Sequence, residues 1–262
     1  MMKIALAQTN IIWENKKKNI DHLKEILSLS NMKDCEMILL PEMSFTGFSM
    51  NTELTGDECF ETKEAIRALC IEHHMAIGFG WVKNKQSSEN HYTIMDKHGD
   101  EFSDYVKIHP FSYSGEDKHF VSGNEIKTFE LNGIVFSSLI CYDLRFPELF
   151  RIASKKAHVI IVPANWPSKR DEHWITLIRA RAIENQIYII GINCVGDIGN
   201  ISYCGNSCIV APDGAVKAIS RGTESIIQYE LLDNVQQYRD SFPTYRDRKD
   251  NLYLELQRNE KT

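Results

Sequence analysis

Short, densely apolar runs alternate along this chain with stretches whose apolar residues fall at helical spacing, and that alternation restricts it to layered α/β architectures. Ile4–Ala7 and Met37–Leu40 read as buried strands. Between them the spacing predicts a helix around Asn19–Ser30, whose Ile20, Leu23, Ile26 and Leu27 share one face. A second helix near Glu61–His73 leads into a strand over Ala76–Trp81, and Tyr92–Met95 and Phe102–Val106 flank the turn-forming Asp96-Lys97-His98-Gly99. Ile134–Ile140 is too apolar to be half exposed. A helix follows from Pro147, then a strand at Val159–Val162, a helix at Glu172–Asn185 and a strand at Ile187–Ile192. Pro212-Asp213-Gly214 turns a later hairpin, and Ile226–Glu230 reads as the last strand. Helices mixed with hairpins call for a mixed sheet arrangement. Pattern alone leaves one sheet or two open.

The 262 residues suffice for one sizeable core, and no linker, low-complexity tract or internal repeat divides them. Thirty-six acidic against thirty basic residues leave a net charge of −6, which argues against nucleic acid or an anionic membrane as partner. No run approaches the roughly 18–20 apolar residues of a membrane span, and the opening Met1–Gln8 is too short in apolar residues for a signal peptide. A cytoplasmic protein is expected. Its seven cysteines, an odd and scattered set, are then expected to be reduced thiols. Cys194, Cys204 and Cys208 with His73 and His74 lack the spacing of metal ligands, so no metal is expected. Lys16-Lys17-Lys18 reads as a solvated face ahead of a helix, and Arg179, Arg181 and Glu184 as structural charges.

Three residues stand where chemistry is usually presented, at the ends of apolar strands. Cys141 closes Ile134–Ile140 and precedes Tyr142-Asp143-Leu144-Arg145-Phe146-Pro147-Glu148, in which Pro147 suits the first turn of a helix. A free thiol is mostly un-ionised at neutral pH and needs a neighbouring base or cation to attack a substrate; the plain alternative is a buried core cysteine. Glu42, in Leu40-Pro41-Glu42, follows another strand and suits a general base, or else a solvated loop acid. Lys107, in Val106-Lys107-Ile108-His109, could hold oxyanion charge, or be an ordinary strand-edge lysine.

Together these segments resemble the nitrilase, or carbon–nitrogen hydrolase, superfamily, whose catalytic set is Glu–Lys–Cys in that chain order. The likeness runs from Ile4-Ala5-Leu6-Ala7-Gln8 through the three segments above to Arg179-Ala180-Arg181-Ala182-Ile183-Glu184-Asn185. It implies one hydrolase domain over residues 1–262, folded as a four-layer α-β-β-α sandwich and paired into a homodimer or larger assembly. It also implies Cys141 as nucleophile, Glu42 as general base, Lys107 as oxyanion stabiliser together with the Tyr142 backbone N–H, and Glu116 as a second, positioning glutamate, with Asp117 and Glu125 as nearby competitors for that place. No metal or organic cofactor is implied, and the partner is a small-molecule amide. Ile12-Trp13-Glu14-Asn15, Ala164-Asn165-Trp166-Pro167, His173-Trp174 and Phe242-Pro243 resemble the bacterial omega-amidase branch, which acts on 2-oxoglutaramate or 2-oxosuccinamate. Such a substrate carries a carboxylate far from its amide. Arg145 is suited to grip it, with a structural salt bridge as its plain alternative; Trp166 would wall the pocket and His173 orient the substrate. The competing expectations are an aliphatic amidase, carbamoyl-amine hydrolase or nitrilase, and a non-catalytic scaffold of the same fold, which would be expected to have lost Glu42, Lys107 or Cys141.

Overall fold

The structure is a computed structural model that describes residues 1–32, 34–84 and 87–259, without the side chains of Ser30 and Gln257. Two sheets carry it. The first contains β1 (Met2–Gln8), β2 (Met37–Leu39), β3 (Ala76–Asn84), β4 (Ser88–Met95) and β5 (Glu101–Val106). The second runs through β6 (Thr128–Leu131), β7 (Ile134–Ser138), β8 (Val159–Ala164), β9 (Tyr188–Asn193), β10 (Val195–Ile198), β11 (Ile201–Val210) and β12 (Val216–Arg221). The chain then returns to the first sheet as β13 (Ser225–Leu231), giving the order β13-β1-β2-β3-β4-β5 beside β10-β11-β9-β8-β7-β6, with β12 on β11. β1, β2 and β3 pair in parallel, as do β7, β8 and β9, and the hairpins add antiparallel edges.

Side-chain parity decides what faces what. In β1, Ile4 and Leu6 enter the core shared with Phe136, Ile160 and Ile190 of the other sheet. Ala5 and Ala7 point the opposite way, under helices α1 (Lys16–Leu27) and α3 (Glu61–His73), with α2 (Thr52–Thr55) between them in sequence. β2 repeats the pattern, Met37 and Leu39 inward, Ile38 outward. On the far side α4 (Pro147–Ala153) and α5 (Asp171–Asn185) cover the second sheet; a Cβ on Gly191 of β9 would meet Ile178 at 2.4 Å and Trp174 at 2.8 Å, so helix and strand are in direct contact there. Helices, sheet, sheet, helices: four layers. Each fully buried Leu, Ile or Phe in these interfaces stabilises the fold by about 1.5–3 kcal/mol.

Three local features differ from the pattern reading. Asn15 accepts the Lys18 N–H at 3.1 Å and so starts α1 at Lys16. The lysine cluster is therefore the first turn of the helix, and while Lys17 and Lys18 are exposed, Lys16 pairs with the buried Asp57. The strand expected over Ile134–Ile140 stops at Ser138, and Leu139 and Ile140 carry the chain out of the sheet. The periodicity also passed over β6, β10 and the helices α6 (Val235–Ser241) and α7 (Asp250–Asn259). No helix among the described residues is long and apolar enough to cross a membrane.

Candidate active site

Glu42 lies just beyond β2, Lys107 one residue beyond β5, Cys141 beyond β7 and Asn165 one residue beyond β8. Both sheets thus deliver residues from the carboxyl ends of their strands to one place. Glu42 and Glu116 are fully buried, as is Lys107 at 1% exposure. Lys107 Nζ donates to Glu42 Oε1 at 2.8 Å and to the two Glu116 oxygens at 3.1 and 2.9 Å. Asn90, from β4, bridges the same carboxylates, its Nδ2 donating to Glu42 Oε1 at 2.9 Å and Glu116 Oε1 at 3.1 Å. The second Glu42 oxygen accepts the Asn165 backbone N–H at 3.0 Å, while Asn165 Nδ2 donates to the Glu42 carbonyl at 2.6 Å. Two buried carboxylates repel unless a cation lies between them. Here one does. Asp117 and Glu125 are exposed, so of the three candidate acids Glu116 alone reaches this cluster.

Two left-handed residues mark where the backbone is bent to fit. Met43, next to Glu42, has φ +43°, and Cys141 has φ +44°, values that an L side chain adopts only when its surroundings enforce them. At Cys141 the enforcement comes from Asp143. Its buried carboxylate accepts the Ile140 N–H at 2.9 Å, the Tyr105 hydroxyl at 2.8 Å, the His109 N–H at 3.0 Å and His109 Nδ1 at 2.9 Å. One side chain therefore ties the cysteine turn to the segment that bears Lys107. A helical turn over Cys141–Arg145 follows, leaving the Tyr142 N–H among the first donors, which have no partner inside such a turn.

The thiol itself is not a standing thiolate. Burial pushes it well above its ordinary value, and the charge and hydrogen bond of Glu42 push it further, against the opposing pull of Lys107. Burial works to lower the Lys107 ammonium, but Glu116 and Glu42 outweigh it and hold its pKa above the ordinary lysine value. Lys107 alone favours the thiolate, but burial and the two glutamates outweigh it.

A cavity of about 60 Å³ opens on the thiol, lined among others by Phe48, Lys107, Phe111, Tyr142, Trp166 and Tyr203. Arg145 and Arg170 line it as well. Arg145 stacks on the Trp166 ring, Cζ 4.7 Å from its centroid, and its Nη2 lies 3.3 Å from His173 Nδ1. Burial, then the charge of Arg170, holds the Arg145 guanidinium below its ordinary value. His173 is exposed and reaches Arg145 without lining the cavity. Arg181 donates to the Leu144 carbonyl at 3.1 and 2.9 Å and pairs with Glu184, a structural use of that helix. Among the described residues no cluster of metal-ligating side chains forms.

The model of the carbon–nitrogen hydrolase family matches residues 3–240. The chain belongs to this family. A 2-oxoglutaramate amidase of Bacillus subtilis (strain 168) is 32% identical over 256 residues, covering 95% of this chain and 98% of that protein. Omega-amidase YafV of Yersinia enterocolitica is 34% identical over 250 residues, covering 94% and 96%. In structure the hydrolase superposes on XC1258 of Xanthomonas campestris, a CN-hydrolase superfamily protein with an arsenic adduct in its active site, with a TM-score of 0.88 and 27% identity over 95% of this chain and 97% of that one. The protein is therefore a hydrolase of carbon–nitrogen bonds that works through a cysteine nucleophile.

Of the residues named from sequence, Glu42, Lys107, Glu116 and Cys141 converge, and Tyr142, Arg145 and Trp166 line the cavity beside them. Sequence reasoning passed over Asn90, Asp143 and Arg170, and quoted Asn165 without giving it a task. Asp143 and Asn165 lie inside quoted motifs; Asn90 and Arg170 carry no local signal.

Proposed function

We propose that this hydrolase is an amidase that removes the terminal amide of a 2-oxo dicarboxylic acid monoamide, 2-oxoglutaramate or 2-oxosuccinamate, to give the diacid and ammonia. The observation that carries the reading is Arg145, a half-buried guanidinium that faces the same cavity as the Cys141 thiol and has no carboxylate partner among the described residues. A guanidinium kept from acids of its own chain is free for a carboxylate on the substrate. The relatives named as 2-oxoglutaramate amidase and omega-amidase support the same substrate class.

In this mechanism Glu42 takes the thiol proton as Cys141 Sγ attacks the amide carbon, which suits a thiol held protonated at rest. The tetrahedral oxyanion is met by the Lys107 ammonium and the Tyr142 N–H, each such donor contributing about 3–4 kcal/mol to the barrier reduction. Glu42 returns the proton to the amide nitrogen, the C–N bond breaks and ammonia leaves a thioester. Glu42 next deprotonates a water that attacks this thioester, and the C–S bond breaks as the proton passes back to sulfur. Glu116 and Asn90 hold Lys107 and Glu42 through both steps, Trp166 walls the substrate, and His173 steadies Arg145. No cofactor enters. The enzyme acts on a small molecule in the cytoplasm and pairs as a homodimer, and the exposed Ile152 and Ile183 on the outer helices α4 and α5 support the pairing.

Arg145→Met is the test. It raises KM for 2-oxoglutaramate at least about tenfold, the weight of one charge-assisted bidentate pair, and changes KM for a neutral amide such as propionamide far less. Equal effects on both substrates remove the case for carboxylate binding and leave a neutral-amide hydrolase.

A further inference from the structure

One guanidinium answers for the substrate carboxylate, yet a second faces the same cavity. Arg170 sits on the turn that precedes α5. Its Cζ lies 5.4 Å from the Phe111 ring centroid, and its carbonyl accepts Trp166 Nε1 at 2.8 Å, so the residue is fixed to two walls of the cavity. Like Arg145 it is half-buried, and among the described residues the arginine ion pairs are those of Arg67, Arg181, Arg246 and Arg248. The adjacent acid, Asp171, is engaged elsewhere, accepting Asn206 Nδ2 at 2.6 Å. Among the described residues no Asp or Glu lines the cavity. Glu42 and Glu116, the acids nearest the thiol, are bound to Lys107.

Two like charges on aromatic walls of one small cavity repel each other until an anion or a dipole enters. A guanidinium donates hydrogen bonds and accepts none. The arginine side of this cavity therefore welcomes groups that accept and are negative or neutral, and it resists a group that donates and is positive. That distinction is the chemical difference between a 2-oxo acid and the matching 2-amino acid, which carry the same carboxylate and the same terminal amide but a carbonyl or an ammonium between them.

We infer that Arg170 is the specificity residue that receives the 2-oxo oxygen beside the carboxylate on Arg145 and excludes the 2-ammonium group, so that glutamine and asparagine are spared. The inference rests on the substrate class proposed above and adds to it the residue that selects the oxo acid. Selection of this kind is achieved by repulsion of the wrong ligand as much as by attraction of the right one.

The experiment compares kcat/KM for 2-oxoglutaramate and for glutamine, by ammonia release, in wild type, Arg170→Met, Arg170→Gln and Arg170→Lys, with thermal melts to identify variants that fold. One unit charge removed some 6 Å from an ammonium at intermediate effective dielectric corresponds to a fall in the oxo-to-amino preference of about ten- to a hundredfold. Arg170→Met and Arg170→Gln are expected to show that fall, through better use of glutamine as well as poorer use of the oxo acid, and Arg170→Lys to retain most of the preference. A wild type active on 2-oxoglutaramate whose preference survives within about twofold in whichever neutral variant folds overturns the role of Arg170 alone. A wild type without activity on 2-oxoglutaramate overturns both this role and the substrate class beneath it.

Discussion

The two ends of the cavity handle charge in opposite ways. At the reacting end the ionic groups are partnered inside the protein, one ammonium shared by two carboxylates: Lys107 lies between Glu42 and Glu116, Asn90 spans both, and all four are sealed from solvent. At the other end Arg145 and Arg170 are half-exposed, seated on rings and, among the described residues, without an acid partner. A group whose charge is already balanced is fixed and ready for a proton transfer. An unpartnered one is, on the reading proposed above, left for a charge on the ligand. Because different side chains carry the two sets of contacts, each can be tested on its own.

Lys107→Met breaks the balanced end most severely. It leaves Glu42 and Glu116 buried side by side without their cation, and removing one member of a buried ion pair costs about 3–5 kcal/mol. On the proposed mechanism, loss of the oxyanion donor adds a fall of about a hundred- to a thousandfold in kcat. Both are measurable, by chemical denaturation and by ammonia release. A variant with wild-type stability would mean that the carboxylates are neutralised in some other way.

Gly80→Ala attacks the same end without touching a charge. Gly80 of β3 passes directly behind the Glu42 turn; its N–H donates to Ser44 Oγ at 2.8 Å, and a Cβ there would come within 2.3 Å of the Met43 nitrogen and 2.9 Å of the Glu42 Cα. Neither neighbour is the tip of a flexible side chain, so the backbone has to move. The expected cost is about 1–3 kcal/mol of stability. A base displaced by about 1 Å further implies up to a hundredfold in kcat, with a smaller change in KM because Arg145 and Arg170 are undisturbed. A KM effect larger than the kcat effect would show that the two ends are mechanically coupled.

How much of this was legible beforehand follows the same division. The strand parity of β1 and β2, the strand ends bearing Glu42, Lys107 and Cys141, and the cation at Arg145 are local properties, readable from apolar spacing and residue type. Asn90 is different. It occupies an unremarkable position in β4 and acquires its task only because β4 pairs with β5, which brings it beside Lys107 and under both glutamates. Arg170 is likewise invisible locally, since a basic residue before a helix is ordinarily solvated; Trp166 and Phe111 make it part of a wall. Asp143 lies inside the cysteine motif, but three of its four hydrogen bonds reach across to Tyr105 and His109, from a segment more than thirty residues earlier. Such tasks are assigned by tertiary contacts, which no sequence window contains.

The smallest expected effect concerns pH and separates proton transfer to Glu42 during attack from a thiolate formed beforehand. Burial and Glu42 raise the Cys141 thiol well above its ordinary value of 9.0. Were attack to require a thiolate formed beforehand, kcat/KM would climb about tenfold per pH unit through the neutral range and bend near the raised value. If Glu42 takes the proton during attack, the reactive pair is neutral thiol plus carboxylate, and its population is constant wherever the thiol remains protonated. A neutral amide substrate is therefore expected to give kcat/KM flat within about twofold from about pH 7 to about pH 9, with no inflection at the ordinary thiol value. Using a neutral amide removes the arginine end from the measurement, so a slope of one in this window would count against the balanced end alone: it would mean that attack draws on a thiolate formed beforehand and not on proton transfer to Glu42 during attack.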